Sequence, residues 1–274
     1  MLNEKERQVL EQAFVKVKKK VLSLAAAREI SAAVSLPLRK IEWFALEKGV
    51  VPGRYQRNIG SIGIEGQKKL LESKVVVVGL GGLGGFVCEE LARLGTGTIA
   101  VIDHDKFDET NLNRQLNSSE NNIGKVKAEQ TKQRVSSINS AVEITVFDSK
   151  FNDVPKEVWL NCDLVMDCLD NINDRLILAG KCAEFDKPLI HGAVAGWYGE
   201  VGVVWPASHL LEDVYRGQEQ GMEKTLGTPP FTVAAASSIM TAEAVKVLMG
   251  KATQGEGKIH FFDLMQDVWQ SVIM

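Results

Sequence analysis

The stretch "VVVVGLGGLGG", Val75 to Gly85, drives four β-branched residues into a cluster of glycines. It reads as a strand passing into a phosphate-cradling turn. Gly79-x-Gly81-x-x-Gly84 has the spacing of a dinucleotide fingerprint, and a helix through "GGFVCEELARLG" follows, ending at Gly95. Each glycine has a reason: one for the turn, one for close backbone approach to an anion, one for helix–strand packing. The first N–H groups of the helix then face the anion. The next strand, "TIAVID", ends in Asp103. A carboxylate there can accept from ribose hydroxyls, so these features together specify a nucleotide. On them alone a dehydrogenase leads.

Outward from this point, strand and helix patterns alternate. Helix 61–73 precedes strand 75–78. Strand 98–103, helix 124–139, strand 142–147, strand 163–168, a helix from "NINDRLILAG" onward and strands 187–194 and 199–206 follow. A polar stretch, 207–228, leads to the small-residue helix "FTVAAASSIMTAEAVKVLMG" and a C-terminal hairpin. The expected fold is α/β: a Rossmann-like, doubly wound, largely parallel sheet with a small N-terminal helical appendage. Residues 3–22 read as one helix. "AREISAAVSLPLRKIEWFALEKG" reads as two short helices, Ser35 capping the second, Pro37 in its first turn and Gly49 ending it. "VVPGRY" is the linker, giving an extension over 1–53 and a main domain over 54–274.

Charge and composition narrow the class. Residues 1–50 carry ten Lys/Arg against six Asp/Glu, yet the whole chain is at −3, so no global charge favours nucleic acid. The basic helical pair has helix-turn-helix spacing, and a packing appendage competes with a DNA reader there. No apolar run approaches the roughly 20 residues that span a bilayer. The N-terminus is too charged for a signal peptide. Cys88, Cys162, Cys168 and Cys182 include no C-x-x-C pair. A cytoplasmic protein with reduced thiols and no zinc is expected.

A polar constellation then pulls the reading from hydride transfer. "DHDKFDETNLNRQ" sets Asp103, Asp105, Asn111, Asn113, Arg114 and Gln115 just after a strand. Lys125 and Lys127 open the next helix, and "DCLDN" sets Asp167, Asp170 and Asn171 at another strand end. In a parallel sheet that edge is the ligand crevice. Cations around a polyphosphate, with a carboxylate for magnesium, suit phosphoryl or nucleotidyl transfer.

The order RYxRNIG, VVGLGGLGG, IDHDKFDETNLNRQ, GKVKAE, DCLDN, HGAV and TAEAVKVLMG resembles the ThiF/MoeB/HesA family, bacterial relatives of ubiquitin-activating enzymes. The resemblance implies a MgATP-dependent adenylyltransferase. It activates the Gly-Gly carboxylate of a ubiquitin-like sulfur carrier, releases pyrophosphate and serves thiamine or molybdopterin biosynthesis. A separate sulfur donor protein then acts on the acyl-adenylate. It also implies Gly82 in the phosphate turn, Asp103 on the ribose and Thr110 to Arg114 as an ATP-binding segment. Arg114 and Lys127 lie on the phosphates, Lys125 being the competitor of Lys127. Asp170 is linked to magnesium with Asn171 beside it, and Arg57 is delivered across a homodimer interface.

The chain departs from the family by lacking zinc-binding cysteine pairs and a cysteine in the crossover 207–230, so chemistry that stops at the adenylate is expected. Three other readings stand beside it: an acceptor that is a peptide or modified tRNA base, a nucleotide-sensing scaffold or regulator, and the dehydrogenase. His191 is expected to be structural.

Overall fold

The computed structural model describes residues 2–273 apart from 16, 18, 219, 220 and 254–256. Its elements run α1 (Glu4–Phe14), β1 (Val21–Leu22), α2 (Leu24–Val34), α3 (Leu38–Glu47), β2 (Val51–Pro52), α4 (Ile59–Glu72) and β3 (Lys74–Val78). Then come α5 (Gly82–Leu94), β4 (Thr98–Ile102), α6 (Lys127–Ile138), β5 (Glu143–Phe147), α7 (Lys156–Asn161), β6 (Leu164–Asp167) and α8 (Ile172–Glu184). The chain closes with β7 (Leu189–Ala195), β8 (Tyr198–Val204), α9 (Leu210–Val214), α10 (Glu223–Leu226), α11 (Pro230–Leu248), β9 (Lys258–Asp263) and β10 (Val268–Ile273).

The four valines explain the layering. Val75 and Val77 pack with Val87 and Leu91 of α5, Val135 of α6 and Met240 and Ala244 of α11. Val76 and Val78 point the other way, to Trp159 of α7 and Leu178 and Cys182 of α8. A strand covered on both faces carries no polar alternation, which is why this one is a continuous apolar run. The eight-stranded sheet has the order β10-β9-β8-β7-β6-β3-β4-β5. Strands β7, β6, β3, β4 and β5 are parallel, whereas β8, β9 and β10 add on antiparallel. The order reverses beside β3: β4 lies on one side and β6 on the other. At that switch point the connections diverge and leave a crevice above the strand ends.

Among the described residues, α11 is the one helix long and apolar enough to cross a membrane. Here Val233, Ala236, Met240 and Ala244 bury its face in the sheet core.

The N-terminal segment differs from expectation. Its helix stops at Phe14, residues 16 and 18 lie outside the described set, and Val21–Leu22 pair in parallel with Val51–Pro52. Strand pairing there overrides the local helical preference. Ser35 ends α2 in the left-handed region, φ 53°, instead of capping α3; Pro37 takes the N-cap position. Helix α4 starts at Ile59 and breaks at Gly63, φ 75°. The polar stretch 207–228 holds two short helices, α9 and α10, and α7 was also not foreseen.

Elements α1 to α3 bury their own cluster, Leu10, Phe14, Leu22, Ala27, Ile41 and Phe44. Tyr55 joins them to the body: it is fully buried, and its hydroxyl accepts from Asn139 Nδ2 at 2.9 Å. The buried Glu42 carboxylate is 3.2 Å from Arg54 Nε. The cations a DNA reader would present are engaged: Arg39 donates to Thr98 Oγ1 at 2.8 Å, and Lys40 pairs with Glu6 at 2.5 Å.

Candidate active site

The carboxyl ends of β3, β4, β5 and β6 open onto a cavity of about 670 Å³, a size suited to a small-molecule ligand. The glycine turn is its floor. Gly79 has φ +88°, and a Cβ there would lie 2.6 Å from the Cys168 carbonyl oxygen, so β6 approaches the turn as closely as glycine allows. Gly81 and Gly82 line the cavity at the start of α5, which has no side-chain cap. Its leading N–H groups are left for an anion. Gly84 lies outside the wall: a Cβ there would lie 2.0 Å from the Gly79 carbonyl oxygen, so it serves packing.

Asp103 ends β4 and braces the turn. Its Oδ2 accepts the Leu80 N–H at 2.6 Å and its Oδ1 the Asp105 N–H at 2.8 Å. It also faces the cavity.

The segment after it forms a tight turn. Asp108 accepts from the Thr110 N–H at 2.7 Å, and Asn111 Oδ1 accepts the Asp108 N–H at 3.2 Å. The Thr110 hydroxyl holds the Asp108 carboxyl below its usual range, aided by backbone N–H groups. Thr110 and Asn111 hydrogen-bond within this turn and do not line the cavity. What the turn presents is Arg114 and Gln115, which do. Arg114 donates only to the Thr110 carbonyl, 3.0 Å, and Asn113 Oδ1, 2.9 Å; it has no carboxylate partner among the described residues. Gln115 is buried in the wall, and its Oε1 has no hydrogen-bond partner among the described residues.

Lys127, the first residue of α6, is buried in the cavity wall with its Nζ 3.0 Å from Asp105 Oδ2. Lys125 is exposed and outside the wall. Asp170 follows β6, lines the cavity and makes no side-chain hydrogen bond among the described residues. Asn171 caps α8 by accepting the Asp174 N–H at 2.8 Å. Arg57 is exposed and outside its own chain's cavity. Asp103, His104 and Asp105 are the one group of three metal-capable side chains among the described residues; they stand at the end of β4, two strands from β6.

Several wall residues were not singled out from sequence: Lys150 and Asn152 beyond β5, Arg175 on α8, and Lys224 on α10. Lys150 was findable, because it follows a parallel strand as Arg114 and Asp170 do. Arg175 and Lys224 depend on how the chain returns over the crevice.

A second cavity, also about 670 Å³, adjoins the first; Glu200, Tyr215, Phe261 and Val268 line it, and Arg175 stands in the walls of both. All four cysteines are buried; burial pushes the Cys162 thiol up to about 11 and Cys88, Cys168 and Cys182 higher still.

Residues 55–274 match the ThiF family, and the chain belongs to it. It is 30% identical over 230 residues to the "Sulfur carrier protein ThiS adenylyltransferase" of Escherichia coli K12, covering 81% of this chain and 90% of that one. It is 31% identical over 229 residues to the "SAMP-activating enzyme E1" of Haloferax volcanii, covering 80% and 84%. Among solved structures, E. coli MccB with ATP superimposes with a TM-score of 0.67 at 22% identity, over 90% of this chain and 82% of that one. PaaA superimposes with a TM-score of 0.64 at 18% identity, over 96% and 89%. At these identities the two structures speak to the fold.

Proposed function

We propose that this ThiF-family chain is an ATP-dependent adenylyltransferase that activates the C-terminal carboxylate of a ubiquitin-like sulfur carrier as its acyl-adenylate. The E. coli relative's name, a sulfur carrier adenylyltransferase, supports the activity and acceptor class. The observation that carries the reading is the cavity's charge pattern. Arg114 without a carboxylate partner, Lys127 and the free Asp170 surround an uncapped helix start and an orphaned Gln115 oxygen. A hydride site has no need of two cations and a free carboxylate around one anion cradle.

The residues fit ATP. The α5 N–H groups take phosphate oxygens, Arg114 and Lys127 neutralise them, and the spare lone pairs of Asp103 accept from the ribose. Gln115 Oε1 is an acceptor awaiting a donor, such as an amino or hydroxyl group of the nucleotide. Asp170 is the carboxylate suited to magnesium, which when bound offsets phosphate charge as a Lewis acid.

A carboxylate attacking the α-phosphate meets anion–anion repulsion. Arg114 and Lys127 reduce it in a crevice where screening is weaker than in bulk water. Arg57, exposed and away from its own cavity, serves a partner copy's site in a homodimer. A C-terminal carboxyl titrates near about 3.5 and is already ionised at neutral pH, so no general base is required. With every cysteine buried, sulfur comes from a separate donor protein. Four unpaired thiols suit a reducing, cytoplasmic setting.

The test is ATP–pyrophosphate exchange against a panel of Gly-Gly-ended carrier proteins and short peptides, with mass spectrometry for the adenylate. Exchange with a carrier, nearly abolished by Asp170→Ala in a folded protein, is the expected result. Exchange with peptides only, or wild-type exchange in Asp170→Ala, refutes the reading.

A further inference from the structure

Beneath the turn that carries Asp170 lies a closed ring of buried polar groups which the reaction proposed above does not use. Asp167, at the end of β6, accepts the Leu169 N–H on Oδ1 at 3.1 Å and is 2.7 Å from His191 Nδ1 through Oδ2. His191 Nε2 is 2.9 Å from the Tyr215 hydroxyl and 3.3 Å from Glu200 Oε1. Tyr215 donates to Glu200 and accepts from Arg175 at 2.8 Å. Arg175 returns to the start: its second terminal nitrogen donates to the Leu169 carbonyl at 2.8 Å, with Nε at 3.3 Å. The path thus leaves Leu169 by its N–H and comes back to it by its C=O.

The members come from β6, α8, β7, β8 and the residue after α9. Asp167 and His191 are fully buried and Arg175 nearly so. Burial alone would push His191 down, but the Asp167 and Glu200 hydrogen bonds outweigh it and hold the imidazole above its ordinary value. Burial would raise Glu200, and His191 holds it below its usual range. The Asp167 and Glu200 carboxyl groups, the His191 imidazole and the Arg175 guanidinium therefore meet inside one network, each with hydrogen-bond partners. Half-satisfied, such a network costs more than an apolar core; complete, it fixes one geometry. Its fixed product is the position of Leu169, the residue immediately before Asp170. Among the described residues, the Asp170 side chain itself makes no hydrogen bond.

We propose that Arg175, Tyr215, Glu200, His191 and Asp167 form a positioning ring that clamps Leu169 by both its backbone polar groups and so aims Asp170 into the nucleotide cavity. The ring acts through Asp170. Of its members only Arg175 stands in the nucleotide cavity's wall, so the test rests on Tyr215 and Glu200, which do not. The inference rests on the adenylyltransferase reading only for what Asp170 serves. It also makes the second cavity, walled by Glu200 and Tyr215, mechanically continuous with the Asp170 turn.

The experiment measures binding of a fluorescent ATP analogue to the full chain with and without Mg²⁺. Tyr215→Phe and Glu200→Gln keep their shapes, and Asp170→Asn is the reference. Expected is about a three- to tenfold weaker affinity for the magnesium complex, the scale of one buried hydrogen bond. Metal-free affinity stays unchanged, and the direction matches Asp170→Asn. Arg175→Lys, which keeps the charge but loses the fork on the Leu169 carbonyl, weakens binding of the magnesium complex at least as much as Tyr215→Phe. Wild-type affinity in both Tyr215→Phe and Glu200→Gln overturns the ring. Equal weakening with and without Mg²⁺ also overturns it, because that is general destabilisation. No acceptor is present, so the two readings fail separately. A wild-type chain that binds the magnesium complex yet supports no exchange overturns the adenylylation reading and leaves the ring intact.

Discussion

Lys127→Met separates the two lysines that sequence left in competition. Lys127 is buried in the cavity wall, 3.0 Å from Asp105, whereas Lys125 is exposed on the preceding loop. A charge-assisted hydrogen bond contributes about 1.5–3 kcal/mol. Removing Lys127 also leaves Asp105 facing the phosphates alone. Its side chain is 56% exposed, so solvent screens it and the added repulsion is at most about 1 kcal/mol. Together these predict a loss of about 1.5–4 kcal/mol, or roughly 10- to 1,000-fold in kcat/KM for ATP in pyrophosphate exchange. The double variant Lys127→Met/Asp105→Asn recovers the Asp105 share, up to about fivefold. Asp105→Asn alone changes the rate less than about threefold, and Lys125→Met leaves it at the wild-type value. Equal losses for Lys125→Met and Lys127→Met refute the placement. No recovery in the double variant refutes the pairing with Asp105.

Four other outcomes are expected. Gly84→Ala sets a Cβ 2.0 Å from the Gly79 carbonyl oxygen and should cost several degrees of Tm or abolish folding. Gly180→Ala, inside α8 with nothing within 4 Å, should gain about 1 kcal/mol, or roughly 2–4 °C, by calorimetry. Stability against pH should form a plateau. His191 is raised, so its contribution is full below about 6.5 and fades as pH rises through its folded value. Glu200 is lowered, so its contribution is full above about 4.3 and fades as pH falls through its folded value. His191→Gln should remove the alkaline decline in Tm, and an unchanged decline assigns it elsewhere. Finally, Arg57→Ala and Asp170→Ala should each be inactive, yet after subunit exchange a mixture should regain about a quarter of wild-type exchange. That is one intact site in each of half the dimers. No recovery places Arg57 outside the partner's site.

The fold was legible wherever burial dictates composition. Val75–Val78 must satisfy two cores at once, so their pattern announced a central parallel strand, and the glycines after them announced a turn. The N-terminal segment was read less well because its outcome depends on partners remote in sequence. Val21 and Leu22 belong to a run of helix-compatible residues, and only pairing with Val51 and Pro52 makes them a strand. Ser35 has the chemistry of an N-cap, but its left-handed backbone ends the helix before it.

The cavity was legible by one rule: polar residues just beyond parallel strands face the crevice. That rule located Asp103, Arg114 and Asp170, and it should have located Lys150. Thr110 and Asn111 lie outside the cavity wall because their side chains fold the very loop that delivers Arg114; proximity in sequence to a wall residue is also the position from which to brace it. The positioning ring lay beyond any such rule. Its members span Asp167 to Tyr215 and meet only because β7 lies beside β6 and β8 beside β7, while α8 and the segment after α9 cross the same sheet edge. His191 was expected to be structural, and its full burial agrees with that. What the sequence does not carry is which groups its ring nitrogens meet, Asp167 at Nδ1 and Tyr215 and Glu200 at Nε2. In the proposed ring these contacts make a buried histidine a link between a second cavity and the turn that carries Asp170.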